Sequence, residues 1–150
     1  MREEVYEFFK EYGFTRDEIH YFQDENEKMF FTNLIEVNKN INFLQDKGLN
    51  KEEIMQVFRV DPYMITVKNN RLEGLDKIYL EDLKLNKEEV KNLIINNPDT
   101  YIVSVSELTS NIDYLKEHNC NIDTIRNLFI TNPQLVSMSP NEFKSVIKFN

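Results

Sequence analysis

The chain has 150 residues, 26 acidic and 18 basic side chains and a net charge of −8, which is long enough for one domain with a sizeable core and opposes an unselective affinity for nucleic acid. No apolar run approaches the roughly 18 residues of a membrane span, and the acidic start Met1-Arg2-Glu3-Glu4 lacks the features of a signal or transit peptide. The lone Cys120 allows no internal disulfide, so an intracellular, cytoplasmic protein is expected.

Along the chain the same local pattern returns every 35–36 residues, and each copy predicts a pair of helices. In the first copy, residues 1–35, Thr15-Arg16-Asp17-Glu18 reads as a helix N-cap with Glu at the third position, a capping box. This copy has Glu27 where the later ones have proline, and with 10 acidic and 4 basic side chains in residues 1–36 it reads as an acidic, solubilising end. The second copy, residues 36–71, continues the stripe Leu34, Val37, Ile41 and Leu44, reaches Gly48 as a helix stop, and restarts at Asn50-Lys51-Glu52-Glu53. Ile54, Val57 and Phe58 mark the buried face of its second helix, and Pro62 begins a short turn followed by Met64-Ile65.

The third copy, residues 72–106, has the stripe Leu72, Leu75, Tyr79 and Leu83, whose register against its neighbours is open by one to three residues. Lys84 stands where Gly48 does and is a poor residue for a left-handed helix end, whereas Asn119 suits the same place in the next copy. The cap Asn86-Lys87-Glu88-Glu89, the face Val90, Leu93 and Ile94, then Pro98 and Tyr101-Ile102 complete it. The fourth copy, residues 107–139, starts from the Ser104 cap and carries Leu108, Ile112 and Leu115. It continues with the weaker cap Asn121-Ile122-Asp123-Thr124, the face Ile125, Leu128 and Phe129, and Pro133 before Leu135-Val136. Residues 140–150 read as a last helix, with Ser139 as cap, Pro140 at its first turn and an end near Phe149. From Asn50, Asn86 and Asn121 the following proline is 12 residues away each time. With no Ala in the chain, packing through branched and aromatic side chains is expected rather than through small-residue seams.

These features predict an all-α chain, a single domain of about four two-helix repeats in a right-handed or curved α-solenoid, with short turns after Pro62, Pro98 and Pro133. The run Asn42-Phe43-Leu44-Gln45-Asp46-Lys47-Gly48-Leu49-Asn50-Lys51-Glu52-Glu53-Ile54, continuing to Pro62, resembles the repeats of the mitochondrial transcription termination factor family. The resemblance covers residues 36–140 well and 5–31 weakly. It implies a curved solenoid of helix pairs with short 3₁₀ turns, and nucleic-acid binding in organellar gene expression.

The residues name two candidate surfaces. Residues 37–72 are the one mildly basic stretch, with 6 basic and 4 acidic side chains, and Lys39, Lys47, Arg59, Lys68 and Arg71 are candidates for a phosphate-binding strip. Tyr63 and Tyr101 are candidates for stacking on bases or for the core. Phe143, Val146, Ile147 and Phe149 form an apolar stripe on the last helix, a candidate edge for a protein partner or for self-association. Cys120 aligns with Leu49 and Leu85 and reads as a packing residue, and His20 as a surface one. The acid pairs Glu52/Glu53 and Glu88/Glu89 are explained by helix capping. No catalytic set, metal site or cofactor motif is present, so a non-enzymatic binding protein is expected. Its partner is nucleic acid or, alternatively, another protein.

Overall fold

The computed structural model describes residues 1–149, and among them every regular element is helical. Helices α1 (Glu3–Tyr12) and α2 (Arg16–Glu25) lead into a 3₁₀ turn at Glu27–Phe30. The same order follows with α3 (Leu34–Asp46), α4 (Lys51–Val60) and the turn Pro62–Ile65. It recurs with α5 (Asn69–Asp76), α6 (Lys87–Asn96) and Pro98–Tyr101, then with α7 (Val105–Glu117), α8 (Ile122–Thr131) and Pro133–Ser137. A short α9 (Pro140–Val146) is the last helix among the described residues. Among the described residues no helix is long and apolar enough to cross a membrane.

Hydrogen bonds that the sequence spells out set the boundaries. The second helix of each copy starts on a side-chain cap. Thr15, Asn50 and Asn86 accept from the backbone N–H of Glu18, Glu53 and Glu89 at 3.1, 2.9 and 2.8 Å. Each glutamate accepts in return from the cap's own N–H. Asn121 has only the forward half, from Thr124 N–H at 2.9 Å, because Thr124 replaces the glutamate. Each of these helices then stops at Asn26, Asp61, Asn97 or Asn132, all outside the helical region at φ −134°, −142°, −142° and −130°. Proline at the next position enforces that geometry in three copies. The first copy reaches it without proline: Asn26 Oδ1 accepts from Lys28 N–H at 3.2 Å and so caps the turn itself.

The first helix of each copy ends on a left-handed residue. These are Gly13, Gly48, Lys84 and Asn119, at φ 129°, 93°, 59° and 66°. Lys84 therefore adopts the conformation for which it is a poor choice. The third copy also departs in its winding. Lys77–Asp82 is π-helical, and the bond closing this helix end runs from Leu85 N–H to Tyr79, six residues back. Its counterparts, Leu49 to Leu44 and Cys120 to Leu115, span five. One extra residue is thereby absorbed inside the helix, which accounts for the interval of 36 from Asn50 to Asn86 against 35 for the others. The register left open by the sequence resolves as a slip of one residue.

The chain divides into two compact units, Met1–Asn69 and Asn70–Asn150. The first is centred on Phe9, Phe14, Phe22 and Phe58, whose ring centroids lie between 5.0 Å and 6.4 Å apart. Four of these pairs meet edge to face and Phe14–Phe58 is stacked, both favourable geometries; Val37, Leu44, Ile54, Met64 and Ile65 are also buried in this unit. The second unit buries Leu72, Leu75, Tyr79, Ile94, Tyr101, Leu108, Leu115, Phe129 and Phe143. The Tyr79 hydroxyl donates to the Thr100 carbonyl and that of Tyr101 to Asp76 Oδ1. Burial pushes both phenols up, helped by nearby Asp99 for Tyr79 and by the bond to Asp76 for Tyr101, so both stay protonated.

Two features depart from the sequence reading. The last helix ends at Val146 rather than near Phe149, because Ile147 turns extended (φ −97°, ψ 106°) and its carbonyl accepts from the Tyr114 hydroxyl at 2.9 Å. Small-residue contact is also not absent: a Cβ on Gly74 would meet the Val105 side chain at 3.0 Å, so glycine permits the approach there. The left-handed ends give a direct stability test. Lys84→Gly should stabilise the protein by about 1 kcal/mol, and Gly48→Lys should destabilise it by about as much, in urea unfolding.

Candidate functional site

The five basic candidates differ in what they contact. Arg59 donates through Nε to Glu18 Oε2, and its guanidinium lies 5.5 Å from the Phe14 ring centroid. Lys47 closes α3 with its ammonium 5.0 Å from the Phe43 ring centroid. Arg71 belongs to the second unit, where it donates to the Ile102 carbonyl at 2.8 Å. Lys39 and Lys68 alone line a common space, a cleft of about 440 Å³ in the first unit. Of the five, Lys39 and Lys68 share this cleft, Arg59 and Lys47 make local contacts within the first unit, and Arg71 makes one within the second.

The edge residues fare similarly. Phe143 is fully buried against Phe129 and Tyr114, at centroid distances of 6.2 and 6.1 Å. Phe149 stacks on His118 at 4.3 Å, Ile147 is half-buried, and Val146 remains exposed. The chain end folds back on its own unit, so the four do not form one exposed stripe. Of the two tyrosines, Tyr101 is buried and closed to stacking, and Tyr63 is half exposed. Cys120 is half-buried and His20 exposed. Glu53 and Glu89 serve as caps, as the sequence indicates.

Three segments wall the cleft: the turn at residues 28–32, the α3 face carrying Glu36, Lys39 and Asn40, and the link at residues 66–69. Two buried carboxamides bind them together. Asn26 Nδ2 donates to the Pro62 carbonyl at 3.2 Å and to Thr66 Oγ1 at 2.8 Å, while its Oδ1 holds Lys28 N–H. Asn40 Nδ2 donates to the carbonyls of Met64, Ile65 and Val67 at 3.2, 2.8 and 3.0 Å. These bonds satisfy carbonyls that the 3₁₀ turn leaves without helical partners. Asn111 holds the matching place in α7 and donates to Met138 at 2.9 Å.

Lys28, Lys39 and Lys68 all reach this cleft, and among the described residues none has an ion-pair partner. Its one carboxylate, Glu36, accepts from the Thr32 hydroxyl at 3.0 Å. Phe31 lines the same cleft and is 79% exposed. The internal repeat shows that the fold does not require these side chains. Lys28 stands opposite Tyr63, Asp99 and Gln134 of the other copies, Lys39 opposite Gly74 and Ser110, and Lys68 opposite the cap residues Asn33, Ser104 and Ser139. Lysine has no acceptor and cannot cap. Phe31 stands opposite Thr66, Ile102 and Ser137. Lys28 and Phe31 were not among the sequence candidates because they lie in the acidic first copy; aligning the four turns would have singled out both.

The arrangement suits an anion with a flat apolar part. Comparison with family models and with curated proteins finds no match to this chain.

Asn40→Ala removes three buried bonds and should cost about 2–4 kcal/mol in urea unfolding with the slope unchanged. A second test concerns pH. The carboxyls of Glu18 and Glu89 lie below the usual carboxylate range. For Glu18 the Thr15 N–H is the main cause, followed by Arg59. For Glu89 partial burial pushes upward, but the bonds from Arg126 (2.6 and 2.8 Å) and Asn86 N–H outweigh it. A group with a depressed folded pKa contributes stability above its unfolded value, about 4.3 for Glu, and loses it as pH falls through the folded pKa. The stability gap between the native chain and a Glu18→Gln/Glu89→Gln variant should therefore be widest near neutral pH and shrink below about pH 4.3.

Proposed function

We propose that the four helix–helix–turn copies stack as a curved α-solenoid and that the protein is a non-enzymatic binding module for nucleic acid. Its contact with the phosphate backbone is the lysine cleft of the first unit. The observation that carries this reading is the convergence of Lys28, Lys39 and Lys68 on one cleft without carboxylate partners among the described residues, in a chain of net charge −8. In such a chain a cation is ordinarily close to an acid, as Arg59 and Arg126 are. Three unpaired positive side chains around one cleft favour a negatively charged ligand.

The recurring cap, non-helical stop and 3₁₀ turn support the resemblance to the mitochondrial transcription termination factor repeats, and with it the nucleic-acid reading. The folded-back chain end weakens the case for a protein partner at Phe143 and its neighbours.

Anisotropy of a fluorescent oligonucleotide across a salt series tests the proposal. Three phosphate contacts predict that log K falls with log salt with a slope of about −2 to −3. Lys28→Glu/Lys39→Glu/Lys68→Glu should lower affinity at least about tenfold and flatten the slope. Absence of binding at low salt, or the same affinity in the triple variant, would refute the proposal.

A further inference from the structure

We infer that the cleft takes single-stranded rather than duplex nucleic acid, with one unpaired base stacked on Phe31 while its flanking phosphates meet the lysines. The inference rests on the nucleic-acid reading above and adds the form of the ligand. Three observations carry it. The Phe31 ring is 79% exposed although a chain of this size has ample core in which to place it. The fold makes no demand for an aromatic there, since Thr66, Ile102 and Ser137 occupy the equivalent place in the other copies. The ring also lies in the same cleft as Lys28, Lys39 and Lys68.

The backbone that carries Phe31 is held in place. It closes the 3₁₀ turn with its N–H bonded to the Lys28 carbonyl at 3.1 Å, and the following Thr32 N–H bonds the same carbonyl at 3.0 Å. Phe31 and Lys28 therefore belong to one rigid turn whose other end is tied down by Asn26. A cleft of about 440 Å³ has room for a single nucleotide, at the lower end of the usual range for small-ligand sites. A paired base presents only its edge to a protein; an unpaired base presents a face that any aromatic ring can cover, whatever its sequence. An exposed ring between cations thus distinguishes strands by form and hardly by sequence.

The test compares a fluorescent 12-nucleotide single strand with the same sequence as a duplex, for the native chain, Phe31→Ala and Phe31→Trp. The single strand should bind at least about tenfold tighter than the duplex. Phe31→Ala should cost roughly tenfold on the single strand and leave the duplex unchanged. The chain contains no tryptophan, so Phe31→Trp supplies a unique emitter that should retain affinity and be quenched by the single strand but not by inorganic polyphosphate. Equal binding of both forms with no effect of Phe31→Ala, or an unquenched indole signal from the Phe31→Trp variant in the bound state, overturns this inference and leaves the proposed function standing. Binding to neither form overturns both, and tight binding of polyglutamate in that case assigns the cleft to an acidic protein segment.

Discussion

The first unit depends on two buried carboxamides. Asn26 and Asn40 together donate five hydrogen bonds to chain segments far away in sequence, and Asn26 accepts a sixth, local one from Lys28 N–H. A 3₁₀ turn that follows an α-helix leaves carbonyls without partners, and burying them unpaired would cost more than the turn gains. A carboxamide solves this because its NH₂ can serve two or three carbonyls at once. The consequence for function is geometric. The same bonds that satisfy the backbone tie together the turn, the helix and the link that carry Lys28, Lys39 and Lys68 to one cleft.

Charge then distinguishes this cleft from the rest of the surface. Arg59 and Arg126 each meet a glutamate that is already part of a helix cap, so those cations stabilise the fold and have little left for a ligand. The cleft lysines have no such role. Each occupies a position where other copies carry a neutral, polar or acidic residue, and at Lys68 a capping side chain has been given up. The repeated architecture therefore serves as its own control: what all copies share is explained by folding, and what only the first unit has requires another reason.

Much of the fold was legible in the sequence. Thr15, Asn50, Asn86 and Asn121, the apolar triplets after them, and the three prolines determine where the second helices begin and end, because each acts through bonds to residues three or four positions away. The third copy was harder to read because a π turn shifts the apolar phase by one residue without any local marker such as glycine or proline. The chain end was misread for a different reason. Phe143, Val146, Ile147 and Phe149 have helical spacing, but the Tyr114 hydroxyl and the His118 ring draw the last residues out of the helix. The site was the least legible part. Net charge by segment pointed to residues 37–72, yet Arg59 and Arg71 are occupied elsewhere in the fold, and Lys28 and Phe31 come from the acidic first copy.

Binding of nucleic acid at the lysine cleft of the first unit is tested most directly by amide chemical-shift mapping of the labelled protein during titration with a short single-stranded oligonucleotide. Perturbations are expected to concentrate in residues 27–40 and 64–69, to saturate together and to vanish at high salt. Shifts confined to the second unit, or scattered along both units without saturation, would contradict a binding site in the cleft.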